Sequence, residues 1–264
     1  MKNIVWLASY PKSGNTWVRA ILNLALFKNS DINNMSIYSL NHYIKNNYPN
    51  NIRKLPGEIK KYWDIAQETI SENAGSNSVI LKTHNIYGKI GDVNFPNKKF
   101  TSKVVYVIRD PRDVCISYSH HFGLNLSTAL KHILSKTNYI FDNKNTLGEV
   151  LSSWQNHVNS WVNSDTPKII IKYEDLLLNP KSVILRLFDF LKIEPIVSID
   201  EIISQTSFKN LQDVEKNTGF VEASQKNSLF FRNGTKNQWT KYNKKKFIPL
   251  INEFEKTMKH FDYI

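Results

Sequence analysis

Residues 4–27 read IVWLASYPKSGNTWVRAILNLALF, and three kinds of local order follow one another without a break. IVWLAS is an apolar, partly β-branched run with the length of a strand covered on both faces. YPKSG is a tight loop that holds Lys12 between Pro11 and Ser13-Gly14. TWVRAILNLALF (16–27) is apolar over one broad helical face. A strand, a glycine-bearing loop and a helix in that order form an anion site. Gly14 permits close backbone approach, and the N–H groups opening the helix at Thr16 have no partners within it. Lys12 adds a full positive charge. The order GxxxxGK[ST] of an ATP-binding loop is absent, because this lysine precedes its glycine.

Three more runs share the character of the first: SVILKTH (78–84), KVVYVIRD (103–110) and KIIIKYED (168–175). Helical patterns follow the last two, with Pro111 opening RDVCISYSHHF and Asn179-Pro180 opening KSVILRLFDFLKI. The repetition predicts a single α/β domain over 1–264, with a central, mostly parallel, doubly wound sheet and helices on both faces. Its core strands fall near 4–9, 78–84, 103–110 and 168–175. Ligands of such sheets bind beyond the carboxyl ends of the strands. There lie Lys12 to Thr16, then Lys82, Thr83 and His84, then Arg109 with Ser117 two turns on, then Tyr173 and Glu174. If these strands are adjacent, one cleft holds two lysines, an arginine, several hydroxyls and a histidine.

Segments 28–77 and 123–166 fall outside the repeat. The first is expected to hold a helix near GEIKKYWDIAQETI; the second is helical and polar, with Trp154 and Trp161 on one face. Both read as excursions that cover an acceptor site, or as surface packing. With 264 residues, 41% of them hydrophobic, the chain can bury one large core. Lys and Arg number 35 against 23 Asp and Glu, a net +12 that favours an anionic partner: a nucleotide, a nucleic acid, a sulfated glycan or a membrane surface. The lone Cys115 excludes an intrachain disulfide and signals no zinc site; it reads as a packed helix residue. Neither a signal-peptide pattern nor a run of about 18 apolar residues is present, so a soluble cytoplasmic protein without a membrane anchor is expected.

YPKSGNTW (10–17) resembles the 5′-phosphosulfate-binding loop of the cytosolic-type sulfotransferases, usually written YPKSGTTW. VVYVIRDPRDVCISYSHHF resembles their 3′-phosphate segment, a strand followed by Arg and, eight residues later, Ser. LKTH is similar to their catalytic histidine segment, and KYEDLLLNP to their Tyr-Glu-Asp strand end. QTSF (205–208) resembles the adenine-side segment, and FFRNGTKNQW a late Arg-Lys-Gly…Gly-Asp-Trp motif. The matches run in family order from residue 5 to 239.

The resemblance implies a P-loop-like sulfotransferase fold and 3′-phosphoadenosine-5′-phosphosulfate (PAPS) as donor, with no metal. Lys12, Ser13, Gly14, Asn15 and Thr16 would then surround the phosphosulfate. Arg109 and Ser117 would bind the 3′-phosphate with Arg232, Asn233 and Gly234. Trp17, Tyr173 and Phe208 would contact adenine, near Thr206 and Ser207. His84 would act as general base, Lys12 would stabilise the leaving oxygen, and Lys82 the sulfuryl oxygens. The late motif departs from the family: Asn233 replaces its Lys, Asn237 its second Gly and Gln238 its Asp. The family's short C-terminal dimerisation motif is not recognisable, which leaves oligomeric state open.

The acceptor is expected to be a small molecule, a natural product among the candidates, sulfated on a hydroxyl or an amine. Its pocket would come from 28–77, 85–100, 123–150 and 218–231, where Tyr38, Tyr43, Tyr87, Phe122, Tyr139, Phe141 and Phe220 could stack on it. A P-loop-like nucleotide kinase fits the sheet but not the lysine order or His84. A nucleic-acid-binding protein fits +12, but the chain lacks a helix-turn-helix and any interleaving of basic and aromatic residues. Neither nucleic acid nor membrane is therefore an expected partner.

Overall fold

The computed structural model describes residues 1–48, 56–91, 93–140, 148–223 and 229–264, with the side chains of 56–61 excepted. The first half runs β1 (Ile4–Ser9), α1 (Asn15–Phe27), α2 (Leu40–Asn47), α3 (Pro56–Ala74), β2 (Val79–Thr83), β3 (Gly88–Ile90), β4 (Val93–Phe95) and β5 (Thr101–Ile108). It continues α4 (Pro111–Phe122), α5 (Leu126–Leu134), β6 (Tyr139–Ile140), β7 (Glu149–Val150), α6 (Trp154–Val162) and β8 (Lys168–Lys172). The last third is helical: α7 (Tyr173–Leu178), α8 (Pro180–Leu191), α9 (Ile199–Gln205), α10 (Phe208–Thr218) and α11 (Ile248–His260). The chain folds as two compact units. One holds Met1–Tyr10, Ile37–Val107 and Ile133–Ile170, the other Pro11–Ser36, Ile108–His132 and Ile171–Ile264.

The first unit carries the sheet, in the order β2-β1-β5-β8. β1 pairs in parallel with both β2 and β5. Being central, it has every residue buried, which is why its sequence shows no alternation. Helices α2 and α3 pack on β2, and Trp6, Trp63 and Phe95 meet ring to ring at 4.8–5.2 Å. Trp154 and Trp161 are both fully buried, as their shared helical face predicts. The α2 helix and the β6–β7 pairing were not legible: each is short, and a two-residue strand has no periodicity to read.

The second unit is built of α1, α4 and the helices after β8. Asp110 caps α4, accepting from the Arg112 N–H, and Pro111 occupies the first turn. Strand four is shorter than predicted. It ends at Lys172, and Tyr173 and Glu174 open α7 instead of closing a strand. Glu174 and Asp175 fall in the first turn of a helix, where a carboxylate is favoured by the exposed N–H groups.

A buried polar group lies in the first unit. His157 of α6 is fully buried; its Nδ1 lies 2.9 Å from the Tyr106 hydroxyl, and Tyr10 meets the ring edge-on. Burial pushes the imidazole down from its ordinary 6.5 to about 4. Above pH 6.5 the ring is neutral in both folded and unfolded chains. Between 6.5 and about 4 only the unfolded chain takes up the proton, so stability falls as pH falls, by roughly 3 kcal/mol across the window. Urea unfolding at pH 7.5 and pH 5 is expected to show about 2 kcal/mol of this loss in the wild type, since pH 5 lies inside the window, and a smaller loss in His157→Phe. Equal losses in both would refute it.

Candidate active site

In the second unit, Pro11 follows the sheet strand, and Lys12 (φ 68°) and Gly14 (φ 106°) turn the chain into α1. Gly14 cannot be replaced cheaply. Its φ lies in the left-handed region, and a Cβ there would stand 2.7 Å from Cδ2 of Tyr173. Among the described residues no side chain caps the start of α1. Ser13 is fully buried, with no partner for its hydroxyl among the described residues. Lys12 holds its ammonium 3.6 Å from the centre of the Phe230 ring. The next turn is tied to Glu222, which accepts from Arg19 Nη1 at 2.6 Å and from the Thr16 hydroxyl at 3.4 Å.

Arg109 is 5% exposed, so its charge has little water. It donates from Nη1 to the Lys12 carbonyl (3.3 Å) and from Nη2 to the Thr235 carbonyl (3.2 Å). Its guanidinium carbon lies 4.1 Å from the centre of the Tyr173 ring. Asp113 stands 3.9 Å away, but Nε of Arg109 is buried without a partner among the described residues. Asp110 is taken up by Arg112 at 2.6 Å, so the adjacent acid does not neutralise Arg109. Burial raises the Asp113 carboxyl, and the neighbouring Arg109 opposes that rise. A cavity in the second unit is lined by Lys12, Ser117, His120, His121, Leu229, Phe230 and Arg232.

The aromatic residues gather in the same unit. Trp17 donates its indole N–H to the Thr206 carbonyl (2.8 Å) and meets Tyr173 edge-on at 5.6 Å. Phe208 underlies Gly234, where a Cβ would come within 2.1 Å of the ring. The Ser207 hydroxyl caps α10, accepting from Asn210 N, and the Thr206 hydroxyl donates back to Ile202. Arg232 and Asn233 both donate to Gln238 Oε1, at 2.6 and 3.2 Å.

The first unit holds the histidine. His84 is 9% exposed just beyond β2, its Nδ1 lying 2.7 Å from the Ser9 carbonyl and 3.2 Å from the Ser9 hydroxyl. A carbonyl can only accept, so Nδ1 carries the proton and Nε2 is the basic nitrogen of the neutral ring. The His84 N–H donates to Glu149 Oε1 at 3.0 Å. Two residues earlier, the Lys82 N–H donates to the Tyr38 carbonyl at 2.9 Å, tying β2 to the segment before α2.

The family model for the sulfotransferase domain matches residues 2–261. The chain belongs to the sulfotransferase family. Sulfotransferase 1A1 of Rattus norvegicus is 28% identical over 97% of this chain and 85% of its own length. Cytosolic sulfotransferase 10 of Arabidopsis thaliana is 27% identical over 89% and 72%. Sulfotransferase 1A1 of Canis lupus familiaris is 29% identical over 78% of this chain, but the matched region spans only 65% of that protein. Among solved structures, mouse sulfotransferase SULT7A1 complexed with PAP has a TM-score of 0.64 at 20% identity, covering 98% of this chain and 85% of that one. Retinol dehydratase in complex with androsterone and PAP also scores 0.64, at 21% identity, with coverage of 97% and 80%. These likenesses establish the fold.

For this sulfotransferase-family chain, the second unit brings together Lys12 to Trp17, Arg109, Ser117, Tyr173, Thr206 to Phe208 and Arg232 to Gly234. His84 and Lys82 belong to the first. Glu222, Phe230, Glu149 and Asp113 were not foreseen: Phe230 and Asp113 lie inside motif segments without a role in them, Glu222 and Glu149 lie outside any motif, and each acts on a partner far along the chain or on a buried charge. His120 and His121 stand in the last turn of α4 and line the cavity with Ser117. Cys115 is fully buried with its thiol pushed up to about 12, which makes it unreactive. Phe141 lies outside the described residues. Among those residues there is no His/Cys/Asp/Glu cluster able to hold a metal, and no helix long and apolar enough to cross a membrane.

Proposed function

We propose that the protein transfers a sulfuryl group from PAPS to a hydroxyl or amine of a small-molecule acceptor. One observation carries the reading. Among the described residues, the Ser13 hydroxyl and the Arg109 Nε are buried without partners and the start of α1 has no side-chain cap, all in the second unit. Unpaired buried polar groups cost stability unless a ligand pairs them, and donors at a helix N-terminus suit an anion. The residues fit the donor. Lys12, Ser13, Gly14, Asn15 and Thr16 hold its 5′-phosphosulfate; Arg109, Ser117 and Arg232 hold the 3′-phosphate, with Asn233 and Gly234 shaping that loop. Trp17, Tyr173 and Phe208 flank adenine, next to Thr206 and Ser207.

Bound PAPS supplies an activated sulfuryl group. The protein's part is then charge and proton management, as in phosphoryl transfer. Nε2 of His84 takes the acceptor's proton. Lys12 leaves the Phe230 ring to neutralise charge on the leaving oxygen, and Lys82 does the same for the sulfuryl oxygens. The acceptor is assigned to 28–77 and 123–150 within one catalytic domain over 1–264, although 49–55 and 141–147 lie outside the described residues. Calorimetric titration with PAP, using ADP and ATP as controls, tests the donor. Binding of PAP in strong preference to ATP is the expected result; binding of ATP alone would overturn the proposal in favour of a kinase.

A further inference from the structure

We propose that helix α6 sets the position of the basic histidine, with His157 and Trp161 as positioning residues acting through the backbone of residues 84 and 85. The inference rests on the reading of His84 as the base. Residues 84–87 follow the last ladder residue of β2, so their backbone groups need other partners. Those partners come from two elements. His157 Nε2 lies 3.0 Å from the His84 carbonyl, and the Trp161 indole N–H lies 3.0 Å from the Asn85 carbonyl. The Ser160 hydroxyl accepts from the Tyr87 N–H at 3.1 Å. Positions 157, 160 and 161 share one face of a helix, which is the spacing that lets α6 grip an extended segment. From the other side, β7 supplies the Val150 carbonyl to the Ile86 N–H at 2.7 Å, while the Val150 N–H donates to Asn85 Oδ1 at 2.9 Å.

The tautomers form an ordered series. The His84 carbonyl can only accept, so His157 carries its proton on Nε2, and its Nδ1 accepts from the Tyr106 hydroxyl at 2.9 Å. His84 in turn donates from Nδ1 to the Ser9 carbonyl, which leaves Nε2 basic. A phenylalanine at 157 would fill the volume without desolvating a polar ring. What the histidine adds is an oriented donor to the carbonyl of one residue, the one bearing the base. His157 is fully buried and does not meet the acceptor. It acts on turnover only through where it holds the His84 backbone.

The test uses the full chain labelled with ¹⁵N-histidine, with His84→Gln to assign the resonances. Long-range ¹H–¹⁵N spectra of the wild type should show His84 protonated at Nδ1. In His157→Phe that signature should become a mixture of tautomers, while His157→Gln, which keeps a side-chain donor, should restore most of it. With PAPS and 2-naphthol as probe acceptor, kcat should fall about 10–100-fold in His157→Phe, with PAP affinity and the KM for PAPS within about twofold. Trp161→Phe keeps an aromatic side chain but removes the indole N–H together with part of the ring's volume; it should shift the same signals and decides the question if His157→Phe does not fold. An unchanged His84 tautomer in the folded variants would overturn the proposal, as would parallel losses of kcat and PAP affinity. The spectra report whether or not 2-naphthol is sulfated. A wild type with the expected tautomer that fails to bind PAP would sink the donor assignment and leave this one standing.

Discussion

His84→Ala is expected to lower sulfuryl transfer by ~10²–10⁴-fold, the ordinary worth of a positioned general base, with PAP affinity unchanged. The expectation comes from the ring's hydrogen bonding. Nδ1 is committed to the Ser9 carbonyl at 2.7 Å, and the backbone N–H to Glu149, so the basic nitrogen is defined before any acceptor arrives. Alanine keeps the backbone bond to Glu149 and deletes only the imidazole. The donor residues belong to the other unit and keep their partners, so calorimetry should return the wild-type Kd. Transfer from labelled PAPS within fivefold of wild type, with PAP still bound, would remove His84 from the mechanism.

Arg109→Ala should weaken PAP binding by ~10²-fold or more, in the range found when one member of a buried, charge-assisted contact is removed. Its two terminal nitrogens hold the Lys12 and Thr235 carbonyls, so one truncation unties the first loop and the late loop together. It also leaves Asp113 without its nearby cation. Arg109→Lys keeps a charge but loses the planar fork and the stacking on Tyr173, so a loss of about 10-fold is expected to persist. Thermal unfolding, measured beside the titration, separates loss of the site from loss of the fold. A folded Arg109→Ala that binds PAP as tightly as wild type would show that the 3′-phosphate is held elsewhere.

The parts legible in the sequence are those governed by local rules. Strand β1, the loop with Lys12 and Gly14, and helix α1 follow from a burial pattern, a proline, a glycine and an apolar helical face. The observed β1 has the predicted bounds. Arg109 stands just beyond β5 and His84 just beyond β2, as the strand-end rule requires. Strand four ended three residues early because the carboxylates at 174 and 175 prefer a helix start, a local signal overridden in the reading by the strand-like run before it. Remote partners were invisible. Nothing near residue 222 announces an ion pair with Arg19, and nothing near 157 announces a bond to the carbonyl of residue 84. Such pairings are set by tertiary packing, and neither periodicity nor turn chemistry encodes them. The substitutions in the late motif have a structural sequel: Gln238, in place of an acid, accepts from both Arg232 and Asn233.

The strand order has a consequence for synthesis. IVWLAS leaves the ribosome well before both its neighbours, Val79–Thr83 and Thr101–Ile108. At bacterial or eukaryotic elongation rates the wait is about 5–20 s. Until Val79–Thr83 emerges, for most of that wait, Trp6 and its apolar neighbours have two unpaired edges and no sheet to join. The nascent chain therefore passes through a sticky interval that the finished protein does not have, and its demand for chaperones is expected to trace to residues 4–9 rather than to an exposed patch of the folded molecule.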